Sequence, residues 1–163
     1  MNDSHELSGK RNDRMAKTGT ARLPLDCSDE DILAVAWQWT DRLVAEDYAG
    51  AFGMLHHVVT YPGKSWVDSA AELRAWIVNC GTDEPIEGEP ICRVTPFDSA
   101  SGEMPRGYLS LMRREGQERY PGCRARLDWP LPLNGEWSDL KASFDLVKLR
   151  GKLVFVLVAL RVP

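Results

Sequence analysis

The adjacent histidines of "GMLHHVV", His56 and His57, are the side chains best suited to proton transfer or metal binding near neutral pH. Neighbouring side chains on a helix point apart. A metal centre also needs a further ligand or a second pair at one-turn spacing, and neither follows in the sequence. No metal site is therefore expected. The triplet Glu46–Asp47–Tyr48 sets acids beside a phenol, but Asp47 directly precedes "YAGAFGML" and reads as a helix N-cap. Cys27, Cys80, Cys92 and Cys123 stand far apart with no CxxC pair. Zinc or dithiol chemistry is not expected, and the four are read as reduced, mostly buried thiols. A Cys–His nucleophile would need one of them beside His56 or His57, which no spacing supports. There is no GxGxxG, GxxxxGK, GxSxG or HExxH. The sequence thus names no catalytic residue, no metal and no cofactor.

Charge divides along the chain. Residues 1–24 carry five basic and three acidic groups, which leaves −6 of the net −4 on the rest. Asp26, Asp29, Glu30, Asp31, Asp41, Glu46 and Asp47 have only Arg42 among them, and Asp83, Glu84, Glu87 and Glu89 follow. Arg106, Arg113, Arg114, Arg119, Arg124 and Arg126 are gathered in the centre. An acidic domain repels phosphate, so nucleic acid is not an expected partner; a basic polypeptide is. No run of eighteen apolar residues exists and the N-terminus lacks an apolar signal core, so the expectation is a cytoplasmic protein with no membrane span.

These residues must be positioned by one domain. Residues 1–24 read as a disordered or extended tail, polar and without periodicity, and 25–163 as a single domain. Ser28 with Asp31 forms a capping box for a helix to about Ala45, with Ile32, Ala36, Trp39 and Leu43 in one stripe and Leu33, Trp37 and Val44 beside it. A short helix follows Asp47. Ser69 with Glu72 opens a third, which Gly81 ends. Beyond "GTDEPIEGEP" the period falls to two, predicting strands at 91–95, 107–114, 123–133, 138–149 and 153–162. About three helices packed on a curved antiparallel sheet of about five strands is an α+β roll.

Asn134–Gly135 reads as a type I′ turn. Continued without interruption, that register sets Asp128 opposite Lys141 and Arg124 opposite Asp145 on one face. Cys123, Ala125, Leu127, Trp129, Leu131 and Leu133 meet Leu140, Ala142, Phe144 and Leu146 on the other. Pro130 and Pro132 then lose N–H donors only from the outer edge, where proline blocks unwanted pairing. Arg150–Gly151 is a second tight turn. The last strand is apolar on its reverse side too, with Val154, Val156, Val158, Leu160 and Val162, which predicts cover there by the chain itself or by a partner.

The order helix, "EDYAGAF" helix, third helix and curved sheet ending in "DLKASFDLVKLRGKLVFVLVALRV" resembles the nuclear-transport-factor-like, or cystatin-like, α+β roll superfamily over about 27–162. "LPLNGEWSDLKASFDL" is similar to small bacterial domains of unknown function found near toxin–immunity loci. The resemblance implies one of two roles. Relatives of ketosteroid isomerase, SnoaL-type polyketide cyclases or dehydratases keep a carboxylate or histidine in the cone between sheet and helices; others only bind proteins. The predicted helix-facing strand residues are apolar, leaving Asp41 or a histidine as the base of such an enzyme. The expectation is therefore a non-enzymatic protein-binding domain, plausibly an immunity protein holding a basic toxin, or a homodimer. The expected contact residues are Val154, Val156, Val158, Leu160, Trp137, Trp66, Asp29, Glu30, Asp83 and Glu84.

Overall fold

The computed structural model describes residues 19–60, 62–114 and 120–163. Arg119 and the first eighteen residues of the expected tail lie outside them. Helix α1 (Asp29–Val44) starts at the predicted box: Asp31 N donates to Ser28 Oγ (3.1 Å) and Ser28 N to Asp31 Oδ2 (3.0 Å). The N-cap of α2 (Tyr48–Gly53) is Asp47. It accepts from Gly50 N (2.9 Å) and pairs with Arg42 Nη1 (2.7 Å). Helix α3 (Ala70–Val78) is capped by Ser69, which accepts from Glu72 N (3.0 Å).

Five antiparallel strands, β1 (Arg22–Pro24), β2 (Ser110–Arg113), β3 (Cys123–Leu133), β4 (Glu136–Leu149) and β5 (Lys152–Arg161), form a curled sheet in the order β1-β5-β4-β3-β2. Helices and sheet make the predicted α+β roll. Two strand assignments change. Residues 91–95 contribute only the bridge Val94–Leu133, while the end of the expected tail, Arg22–Pro24, pairs with Val154–Lys152 as the fifth strand. A three-residue strand is too short to show a period, so alternation could not reveal it.

Both turns have the backbone that type I′ demands, with positive φ at Asn134 (53°), Gly135 (82°), Arg150 (49°) and Gly151 (76°). The uninterrupted β3–β4 register fails at the prolines. Pro132 pairs with Trp137 but Pro130 with Lys141, so Ser138–Leu140 oppose Leu131 alone. Ser138 holds this bulge, its hydroxyl donating to Leu131 O (2.6 Å) and accepting from Leu140 N (3.1 Å). Beyond it the partners are displaced by two: Asp145 faces Arg126, not Arg124, and Asp128 faces Ser143, not Lys141. A shift of two preserves the faces, and so Ala125, Leu127 and Trp129 still meet Leu146, Phe144 and Ala142 in the core. The prolines follow Asp128, the last β3 residue paired with β2; past it β3 offers acceptors, with Pro132 O taking Thr95 N (3.1 Å).

A second bulge lies in β5. Ser143 pairs with Ala159 and Phe144 with Leu157, leaving Val158 extra. This turns Leu160 to the helical side, where it is fully buried, and corrects its expected place on the reverse. The layer between helices and sheet is filled by Trp39, Trp129, Phe144, Phe155, Leu127, Leu131 and Leu140, each at most 1% exposed. Burial of each such side chain contributes about 1.5–3 kcal/mol. Of the indole nitrogens that enter, Trp129 Nε1 donates to Thr40 Oγ1 (2.8 Å), which donates to Ala36 O (2.9 Å), while Trp39 Nε1 is buried without a hydrogen-bond partner among the described residues.

Candidate interaction surface

The expected contact residues separate into those the fold buries and those it presents. Val154 and Val156 are 1% and 0% exposed, so the reverse of β5 is covered within the chain; Val158, the bulge residue, is half-buried. The edge of β5 is occupied as well: after β1, His56 N donates to Phe155 O (2.8 Å) and Trp66 N to Leu157 O (2.8 Å). Trp66 packs edge-on against Trp76 at the core margin. Trp66 is half-buried, like Trp137. Asp29 pairs with Arg113 Nε (2.9 Å), whose Nη2 reaches Cys27 O (2.8 Å), so it joins α1 to β2. Glu30 beside it is exposed.

The acids of the long hairpin lie on the face away from the helices, as expected, but in different company. Asp145 is 1% exposed; Tyr120 Oη donates to its Oδ2 (2.9 Å), and Arg126 Nη1 stands 3.7 Å from its Oδ1. Asp128 accepts from Ser143 Oγ (2.7 Å), with Arg126 Nε at 3.4 Å and Lys141 Nζ at 3.7 Å. Burial and the neighbouring Asp145 push the Tyr120 phenol far above its usual range, so it remains a donor at all working pH. The network ties β3 to β4. Asp41 is exposed on α1, and among the described residues no cluster of three His, Cys, Asp or Glu could hold a metal.

What the fold presents lies at the β3–β4 turn and α3 end. Cys80 and Cys92 are joined by a disulfide (Cα–Cα 5.5 Å), which corrects the expectation that all four cysteines are reduced; Cys27 and Cys123 are buried. The bond follows from convergence: Cys80 stands in the turn just after α3 while Cys92 N donates to Val78 O (3.0 Å), and a separation of twelve residues gave no sign of it. Loop 81–91 is thus closed at its base. It exposes Asp83, Glu84, Glu87 and Glu89, with Ile86 and Ile91 52% and 67% exposed. Beyond it, Asn134 grips the chain: its Oδ1 accepts from Arg93 N (3.0 Å) and its Nδ2 donates to Ile91 O (3.2 Å), while Gly135 N donates to Thr95 Oγ1 (2.9 Å).

The same segment then brings Phe97 into an aromatic cluster. Its ring lies 4.5 Å from Trp37, 5.1 Å from Trp129 and 4.9 Å from Trp137. Trp37, assigned to the core by its helical position, is 36% exposed, although its ring also packs edge-on against Trp129 (5.2 Å). Trp137 is half-buried. One end of the molecule therefore combines exposed isoleucines, an acidic loop and a partly exposed aromatic cluster. Compared with family models, curated proteins and solved structures, the chain gives no match. Among the described residues no helix is long and apolar enough to cross a membrane.

Proposed function

We propose that this is a non-enzymatic protein-binding domain that holds a basic polypeptide through loop 81–91. The observation that carries the reading is the pair Ile86 and Ile91, both more than half exposed on a loop anchored by a disulfide and by Asn134. Exposed apolar anchors ringed by one sign of charge suit a partner of opposite charge, and a loop closed beforehand loses little freedom on binding. Asp83 and Glu84 supply the acidic rim, and Trp37 and Trp137 extend the apolar surface. A toxin domain is the partner we favour, on the resemblance to bacterial domains near toxin–immunity loci. The enzymatic alternative finds less support. The space where such enzymes keep their base is filled with Trp39, Trp129 and Phe144, and Asp41 faces solvent.

Composition favours a cytoplasmic setting, while the Cys80–Cys92 bond favours an oxidising one; the alkylation state of both cysteines in protein taken from cells decides between them. The binding test is affinity capture of the tagged chain from native lysate, followed by mass spectrometry. A stoichiometric basic polypeptide should be retained by the native chain. An Ile86→Ser/Ile91→Ser variant of unchanged melting temperature should bind it at least tenfold more weakly. Capture of the same polypeptide by that variant at full strength would remove loop 81–91 from the proposal.

A further inference from the structure

On the sheet face away from the helices, His56, Val58, Pro62, Gly63, Tyr120, Pro121, Val147 and Leu149 line an open cleft of about 440 Å³. Its floor is β4: Val147 and Leu149 alternate with the core residue Leu146 and so point to this side. One wall is formed by Val58, Pro62 and Gly63, next to Ser65, whose N donates to Val58 O (2.7 Å) while its Oγ accepts from Val58 N (2.7 Å). The other wall is Tyr120. The walls meet at Gly63, whose φ of +81° suits glycine, and where a Cβ would stand 2.6 Å from Tyr120 Oη.

The lining is mostly aliphatic, with two polar groups. The Tyr120 proton is committed to Asp145, itself buried beside Arg126, and Cys123 also hydrogen-bonds the phenol, so the side chain is held in one rotamer and its oxygen keeps acceptor capacity for one further donor. Burial first, then the charges of His57 and Arg22, pushes the His56 imidazole below its ordinary pKa of 6.5, and it is neutral at neutral pH. A preformed apolar cleft of this size with few polar groups at one wall is the usual form of a small-molecule site. We propose that it binds a small, uncharged, largely apolar molecule carrying one hydroxyl, which donates to Tyr120 Oη. The site is separate from loop 81–91 and does not depend on it.

The test uses 2-naphthol and naphthalene, titrated into the full chain at pH 7 and followed by amide chemical shifts. Saturable shifts at Val147, Leu149 and Gly63 are expected with both probes. Tyr120→Phe should weaken 2-naphthol about threefold to tenfold and leave naphthalene unchanged, as loss of one hydrogen bond requires. Val147→Trp, which fills the cleft, should weaken both more than tenfold; if that variant loses its dispersed spectrum, Leu149→Trp is judged by the same criterion. Absence of saturable shifts in the native chain, or undiminished binding in the folded tryptophan variant, overturns the site. An equal effect of Tyr120→Phe on both probes overturns the assignment of the hydroxyl.

Discussion

Val156 shows how one residue's role is set by its surroundings. In the sequence it belongs to a doubly apolar strand; in the fold it is fully buried and sits opposite Asp145. Val156→Asp would place a second carboxylate beside a buried one already committed to Tyr120 and Arg126. An unpaired buried charge costs upwards of about 3 kcal/mol. The variant is therefore expected to unfold or to lose most of its cooperative transition in urea, rather than merely to lose a partner. A folded variant of native stability would show that this face is open. His56 and His57 also resolve at this scale: the first donates its backbone N–H to Phe155 O, and the second stacks on Phe52 at 3.9 Å.

At the scale of elements, the caps and turns were legible because each depends on residues a few positions apart. Ser28 with Asp31, Asp47, Asn134–Gly135 and Arg150–Gly151 take the expected geometry, while Ser69 caps its helix but Glu72 accepts from Asp68 N (2.7 Å) in place of closing the box. Asn134 does more than turn the chain. It joins the β3–β4 turn to the 91–95 segment through two side-chain hydrogen bonds, so two effects can be separated. Asn134→Gly keeps the positive φ and loses the bonds, while Asn134→Ala loses both. Equilibrium denaturation should show a loss of about 1 kcal/mol for glycine and about 2–3 kcal/mol for alanine. Equal losses would mean that the turn conformation contributes nothing. The bulge at Ser138–Leu140 was not legible because a shift of two keeps the alternation, and that at Val158 because β5 is apolar on both sides, so a change of facing leaves no mark in the sequence.

At the scale of the whole molecule, the Cys80–Cys92 bond joins the end of α3 to the segment that runs along the hairpin tip. A loop of this length restricts the unfolded chain by about 2–3 kcal/mol. Cys80→Ser/Cys92→Ser should lower unfolding free energy by that amount while leaving the α1–sheet core intact, as read by urea denaturation and tryptophan fluorescence. No change would mean that the loop is held by Asn134 alone. The Ile86→Ser/Ile91→Ser variant should leave stability near native, because both side chains are more than half exposed. The disulfide and the two isoleucines thus divide the loop's role into scaffold and contact.

The sequence alone determined the three capped helices, the β3–β4–β5 meander, the apolar inner face and the acidic character of loop 81–91. Each is encoded by neighbours along the chain or by a period of two or nearly four. It could not determine that Arg22–Pro24 closes the sheet, that Trp37 reaches the surface, or that Cys80 meets Cys92. Nor could it show Asp145 buried under Tyr120 beside a cleft. Those depend on how the sheet curls and where bulges reset the pairing, and such contacts join residues with no periodic relation. Only the assembled layers bring them within bonding distance.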